Sequence, residues 1–146
     1  MEVFMKDNFN ALNEIHKGTC MGQDALSFVI DKVEDLELKR VLLKQFDDYD
    51  DIAKEIEKVY PKYNNDTIKD TSLMNKAMIW SGMEIKTITN HSDSKIAELI
   101  INGINMGIIE GVKIINKKKI NNEIKDIVSK FIKMQEKNLD ILKEYL

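Results

Sequence analysis

Few side chains in this sequence can bind a metal or attack an electrophile. There are two histidines, His16 and His91, and one cysteine, Cys20. His16 and Cys20 are an i, i+4 pair, so on a helix their side chains meet on one face. An imidazole beside a thiolate suits zinc or copper. A zinc site needs at least three protein ligands, however, and no further Cys or His lies near in the sequence. A Cys–His nucleophile needs a third group to orient the imidazole, and the sequence names none. The plainer reading of Cys20 is a small buried hydrophobe. Two carboxylates also stand out, Glu84 near the apolar row of its segment and Glu110 beside a row of glycines. Buried carboxylates are costly unless paired, so these two are the candidates for a residual polar site. The alternative puts each at the edge of its row, pointing to water. His91 shares a face with Glu84 and adjoins the polar run HSDS, where a cap or turn histidine is the simpler assignment.

These residues are carried on segments whose apolar positions follow helical spacing almost throughout. A first segment, about residues 8 to 33, places Leu12, Ile15, Leu26, Val29 and Val33 on one face, with Thr19 and Gly22. A second, about 35 to 60, repeats Leu38, Leu42, Gln45, Tyr49, Ile52, Ile56 and Val59, with Asp35 as a plausible N-cap. The link between them is so short that the two must fold back as a hairpin. The second segment stops at Tyr60-Pro61, because proline disfavours helical geometry in the residue before it. A third, about 70 to 91, carries Met74, Ala77, Met78, Ser81, Ile85 and Ile88. HSDS marks a break; a fourth, about 94 to 116, and a fifth, about 121 to 145, follow it. No strand alternation appears, and the class is all-α: an antiparallel helical bundle of about five segments in one domain, residues 1–146.

The glycines pose a question of their own. Gly103, Gly107 and Gly111 recur every four residues in ELIINGINMGIIEGVKII, and Gly18 and Gly22 repeat the spacing in the first segment. Each glycine costs about 1 kcal/mol against alanine inside a helix. If they broke the helix, Ile100, Ile101, Ile104, Met106, Ile108 and Ile109 would be stranded in a loop. The better account is close packing: a row without Cβ atoms lets a neighbouring backbone approach, a steric device best known from membranes. The expectation is that the first and fourth segments cross closely, or that one of them forms a subunit contact. A cavity kept open along the row for a small ligand is the lesser alternative.

Composition removes other classes. A net charge of −3 with 32% charged residues lacks the clustered basic face of a nucleic-acid binder, and Lys117-Lys118-Lys119 reads as a polar connector. Glu98, Glu110 and Lys113 interrupt the most apolar run, so it is no membrane span. A single cysteine excludes an internal disulfide and fits a reducing cytoplasm. The first residues, MEVFMKDNFN, have no signal-peptide core. Most of the eight methionines and Trp80 fall at or near apolar rows and read as core filling.

Two helical hairpins separated by one longer link look like the ferritin-like bundle class. More narrowly, GTCMGQDALSFVIDKVEDLELKRVLLKQFDDYDDI with SDSKIAELIINGINMGIIEGVK resembles small uncharacterised ferritin-like helical-bundle proteins of spore-forming Firmicutes. The resemblance implies the scaffold. In members with activity it also implies two iron or manganese ions held by a Glu from each of two helices and Glu-x-x-His from each of the others. This sequence contains no Glu-x-x-His: His16 follows Glu14 by two positions and His91 follows Glu84 by seven.

The expected function is therefore a non-enzymatic bundle acting through self-assembly, in the first instance as a homodimer, or through a protein partner, with no cofactor. A metal-binding relative using a non-standard set drawn from Glu84, Glu110, His91, His16 and Cys20 is the alternative. A carrier with its cavity along the glycine row is the third reading.

Overall fold

The computed structural model describes residues 2–64 and 89–146, with side chains from Met5 onward. Every regular element among them is helical. Helix α1 spans Glu2–Val29 and ends in a 3-10 turn, Ile30–Lys32. Helix α2 spans Leu36–Val59, and the Asp35 carboxylate caps it by accepting from the Leu38 amide at 2.9 Å. Pro61 lies in the 3-10 turn Tyr60–Lys62 that closes it. Helix α3, Asp93–Lys117, opens with Ser92 accepting from the Lys95 amide. Helix α4, Asn122–Leu142, opens with Asn121 accepting from the Ile124 amide and ends in the turn Lys143–Tyr145. In all three caps a short polar side chain satisfies an amide that the first helical turn leaves without a partner.

The described residues thus hold four long helices rather than about five. Of the segment expected at 70 to 91, residues 70–88 lie outside the description; residues 89–91 are non-helical. The break before α3 is real, so α3 does not continue upward from that segment without interruption.

Two sets of contacts fix the helix directions. The amides of Glu34 and Asp35, in the α1–α2 turn, both donate to the Asp93 carboxylate at 2.9 Å. That pins the start of α3 to the end of α1. At the other end the Lys119 and Asn121 amides donate to Asp7 and Asn8, and Lys62 pairs with Glu123 at 3.0 Å. Asn121 also donates to the Tyr63 hydroxyl, which donates to Glu123. Hence α1 and α3 are antiparallel, as are α2 and α4, while α1 and α4 run the same way. Asn64 follows α2 at one end of the bundle and Ser92 opens α3 at the other. The two hairpins are therefore joined end to opposite end, as in bundles with a single crossover.

The core runs along the axis as Leu12, Ile15 and Leu26 from α1, Leu38, Leu42 and Ile56 from α2, Ile96, Ile100 and Ile104 from α3, and Ile124 and Phe131 from α4, all buried. Each such side chain contributes about 1.5–3 kcal/mol relative to an exposed one. α1 packs against all three other helices, and α4 against α1, α2 and α3.

The glycines meet neighbours, but the partners differ from the expected pairing of the two glycine helices. A Cβ on Gly107 would lie 2.6 Å from the Gln135 side-chain nitrogen, and one on Gly111 would lie 2.6 Å from Ile132 Cγ1, both on α4. A Cβ on Gly22 would lie 2.7 Å from the Tyr49 ring on α2. Gly18 faces Phe131 of α4 at an ordinary 3.5 Å, and Gly103 is buried. The missing Cβ atoms make pits that receive rings and branched side chains from a third helix. A backbone-to-backbone groove needs facing small residues on both partners, and α4 presents bulky ones here.

Candidate functional site

The i, i+4 pair of α1 does form a linked group. His16 and Cys20 are both buried, with Cys20 Sγ 3.7 Å from His16 Nδ1. The other ring nitrogen, Nε2, donates to Glu57 of α2 at 3.2 Å, and the Glu57 side chain is 51% exposed. With Nε2 carrying the proton, Nδ1 accepts from the thiol. Glu57 is the orienting group that the sequence could not name, because it lies 41 residues from His16. The thiol and the carboxylate contact opposite nitrogens of one ring, so they face away from each other across the imidazole. That order links a buried thiol to a surface carboxylate through one ring, but it leaves no point at which all three could ligate an ion. Thr19 donates back to the His16 carbonyl at 2.7 Å, which holds this turn of α1.

The other candidates are not brought together. Glu110 is exposed and lies 3.8 Å from Lys113 in an i, i+3 ion pair. His91 is exposed and non-helical, just before the Ser92 cap. Glu84 lies outside the described residues. Among the described residues no three of His, Cys, Asp and Glu converge to hold a metal.

A polar chain crosses the centre of the bundle, two of whose members, Gln45 and Tyr49, fall in the apolar row read for the second segment. Tyr49 of α2 is fully buried, and its hydroxyl donates to Gln135 of α4 at 2.9 Å. The Gln45 amide donates to the same hydroxyl at 3.3 Å. Burial pushes the Tyr49 phenol up to about 12, so it stays neutral in the fold. Its ring sits over Gly22 and packs against Phe131, with centroids 6.4 Å apart and planes tilted by 57°. Asn138, one turn beyond Gln135, is also buried. Gln45 Oε1 and Asn138 Nδ2 have no hydrogen-bond partner among the described residues. A glutamine at a core position of an otherwise apolar row was the available signal.

Two open features lie on the surface. A crevice of about 170 Å³ between α1 and α3 has Phe131 as its floor and Gly18, Gly107, Met21 and Met106 as its walls. Beside it, α3 exposes Met106 (40%), Ile109 (53%) and Val112 (40%). A wider groove of about 620 Å³ between α2 and α4 is lined by four lysines and four carboxylates, among them the Lys130–Glu55 pair at 3.0 Å. Its charges largely neutralise one another.

An iron or manganese pair calls for several anionic oxygen and imidazole donors pointing inward. The centre of this bundle offers amides and a neutral phenol, with the Tyr49 ring and the Gln135 amide filling the space over Gly22 and Gly107. These residues do not fit such a pair. No helix among the described residues is long and apolar enough to cross a membrane.

No protein-family model matches the chain, and no curated protein matches it. Among solved structures, it is similar to a two-domain protein from Anabaena variabilis containing DJ-1/ThiJ/PfpI-like and ferritin-like domains. The superposition has a TM-score of 0.76 at 17% identity; it covers 96% of this chain and 39% of that one. At that identity the likeness bears on fold alone. Four packed helices, two hairpins joined end to opposite end and this neighbour together make the fold of the chain ferritin-like.

Proposed function

We propose that the chain acts as a non-enzymatic ferritin-like bundle through association with a second copy of itself, with the outer face of α3 as the contact. The observation that carries this reading is the exposed apolar strip Met106, Ile109 and Val112 beside the crevice floored by Phe131. Large apolar side chains exposed side by side mark interaction surfaces more often than single ones do. The rim supplies both signs of charge, Glu14 and Glu110 with Lys17 and Lys113. A two-fold contact, in which the same patch meets itself, needs such self-complementarity. A projecting Met or Ile from one copy is of a size to enter the crevice of about 170 Å³ on the other.

Light scattering coupled to size exclusion tests this directly. The wild type should elute with twice the 16.9 kDa chain mass. Met106→Glu combined with Ile109→Glu should be monomeric with an unchanged far-ultraviolet spectrum. A wild type that remains monomeric at high concentration, or a dimer that survives the double substitution, would overturn the proposal.

A further inference from the structure

The buried amides have a spacing of their own. Gln135 and Asn138 form an i, i+3 pair on α4, both buried; Gln45 and Asp48 form another on α2, with Gln45 buried. Metal-holding bundles of this class place Glu-x-x-His at that same spacing on two of their four helices, and a single Glu on each of the other two. Glutamine has the shape of glutamate without its charge, and it stands first in both pairs here. On α1 and α3 the residues that face this cluster are Gly22, against the Tyr49 ring, and Gly107, against the Gln135 amide.

We infer that the centre of this bundle is a neutral strap in place of a cation site: Gln45, Tyr49 and Gln135 tie α2 to α4 by hydrogen bonds, doing the work that carboxylates and a divalent ion do in metal-holding relatives of the fold. Three features support it. The chain Gln45–Tyr49–Gln135 is continuous, with each link within hydrogen-bond distance. Every member is buried, so the bonds form where water does not compete. Moreover, two amides and a phenol that burial keeps neutral give the strap no charge with which to hold a cation.

The inference predicts that charge alone separates this centre from cation binding. Gln45→Glu with Gln135→Glu places two carboxylates at the ends of the chain, where burial and mutual repulsion raise their pKa values. A carboxyl whose folded pKa is raised destabilises the fold progressively as pH rises past its unfolded value of about 4.3. The double variant should therefore melt highest near pH 5 and lower at pH 7. At pH 7, about 1 mM Mn²⁺ should raise its melting temperature by about 5 °C or more, because the ion binds only the folded state. The wild type should show no Mn²⁺-dependent shift, and dialysed wild type loaded with Mn²⁺ or Fe²⁺ should retain none by elemental analysis.

Two results would overturn the inference. One is stoichiometric Mn²⁺ or Fe²⁺ on the wild type that Gln135→Ala abolishes, which would make the centre a metal site as it stands. The other is a double variant that shows no Mn²⁺-dependent rise at pH 7, which would mean that the two positions do not converge. Should the double variant fail to fold at pH 7, the single Gln135→Glu variant at pH 5 and 7 gives the same comparison with one carboxylate.

Discussion

Tyr49, fully buried between two glutamines, and Ile109, half open to solvent on α3, each sit where their chemistry is not at rest. The first is a hydroxyl in the interior, and the second is an aliphatic side chain in water. At the hydroxyl the interior anomaly is resolved within the chain, because it donates to Gln135 and accepts from Gln45, although Gln45 Oε1 is left over. A satisfied buried polar group holds its helices in one register. Nothing within the described chain resolves the exterior anomaly, and a second copy is the proposed resolution. The comparison separates two kinds of departure from a plain amphipathic bundle: one completed by the fold itself, and one that asks for an assembly.

Substitutions can break either side of that comparison. The largest effect should come from Tyr49→Ala, which removes the ring packed on Gly22 and Phe131 and both hydrogen bonds. A loss of about 3–5 kcal/mol, in the range for large-to-small core changes, should appear in urea unfolding. A loss below about 1 kcal/mol would mean that the ring is not part of the core. Tyr49→Phe keeps the ring and strips only the hydroxyl, leaving the Gln45 amide and the Gln135 carbonyl without that partner; about 1–3 kcal/mol is expected. The same variant sharpens the pH argument. The unfolded phenol ionises near 10 and the folded one at about 12. An acid with a raised folded pKa contributes its stability below the unfolded value and loses it between those two. Wild type should thus lose stability from pH 10 upward more steeply than Tyr49→Phe. Equal slopes would show that the phenol reaches water.

The exterior side should behave in the opposite way. Ile109→Glu should change chain stability by no more than about 0.5 kcal/mol, as surface substitutions do, while weakening association. A variant that unfolds instead would assign Ile109 to the core. The smallest effect concerns Asp50, held below the usual carboxylate range by the hydrogen bond from the Lys54 ammonium at 2.8 Å. Its contribution is present above the unfolded carboxyl value and fades as pH falls through the depressed one. Asp50→Asn should therefore lower the melting temperature slightly at neutral pH and leave it unchanged in strong acid. A loss that persists in acid would point to packing rather than charge.

Much of the scaffold was legible in residue order, and the reasons are local. Asp35 and Ser92 cap because their side chains reach amides three residues on. α2 stops beside Pro61 as expected, although Tyr60 keeps helical angles of −53° and −42°, so the stop reflects the amide that proline lacks and not a distorted Tyr60; the apolar rows of α2, α3 and α4 report which face is inward. The i, i+4 contact of His16 with Cys20 was readable for the same reason. The candidate site was far less legible. Glu57 reaches His16 across 41 residues, and Tyr49 reaches Gln135 across 86. In the sequence alone, Gln45 is one polar position in the row of the second segment, and no pattern marks Gln135. The glycine rows signalled tight spots without saying what fills them: a pit on one helix is specified by the absence of an atom, and its occupant is specified elsewhere.

For this protein, helix identity, helix ends and the inward faces were set by interactions within about one turn of chain, where periodicity and capping act. Which helix lies beside which, that the hairpins join end to opposite end, and that two glutamines meet one tyrosine at the centre were decided only in three dimensions. Those contacts join residues tens of positions apart, and their energies depend on burial, a property that no residue has until the whole bundle has closed around it.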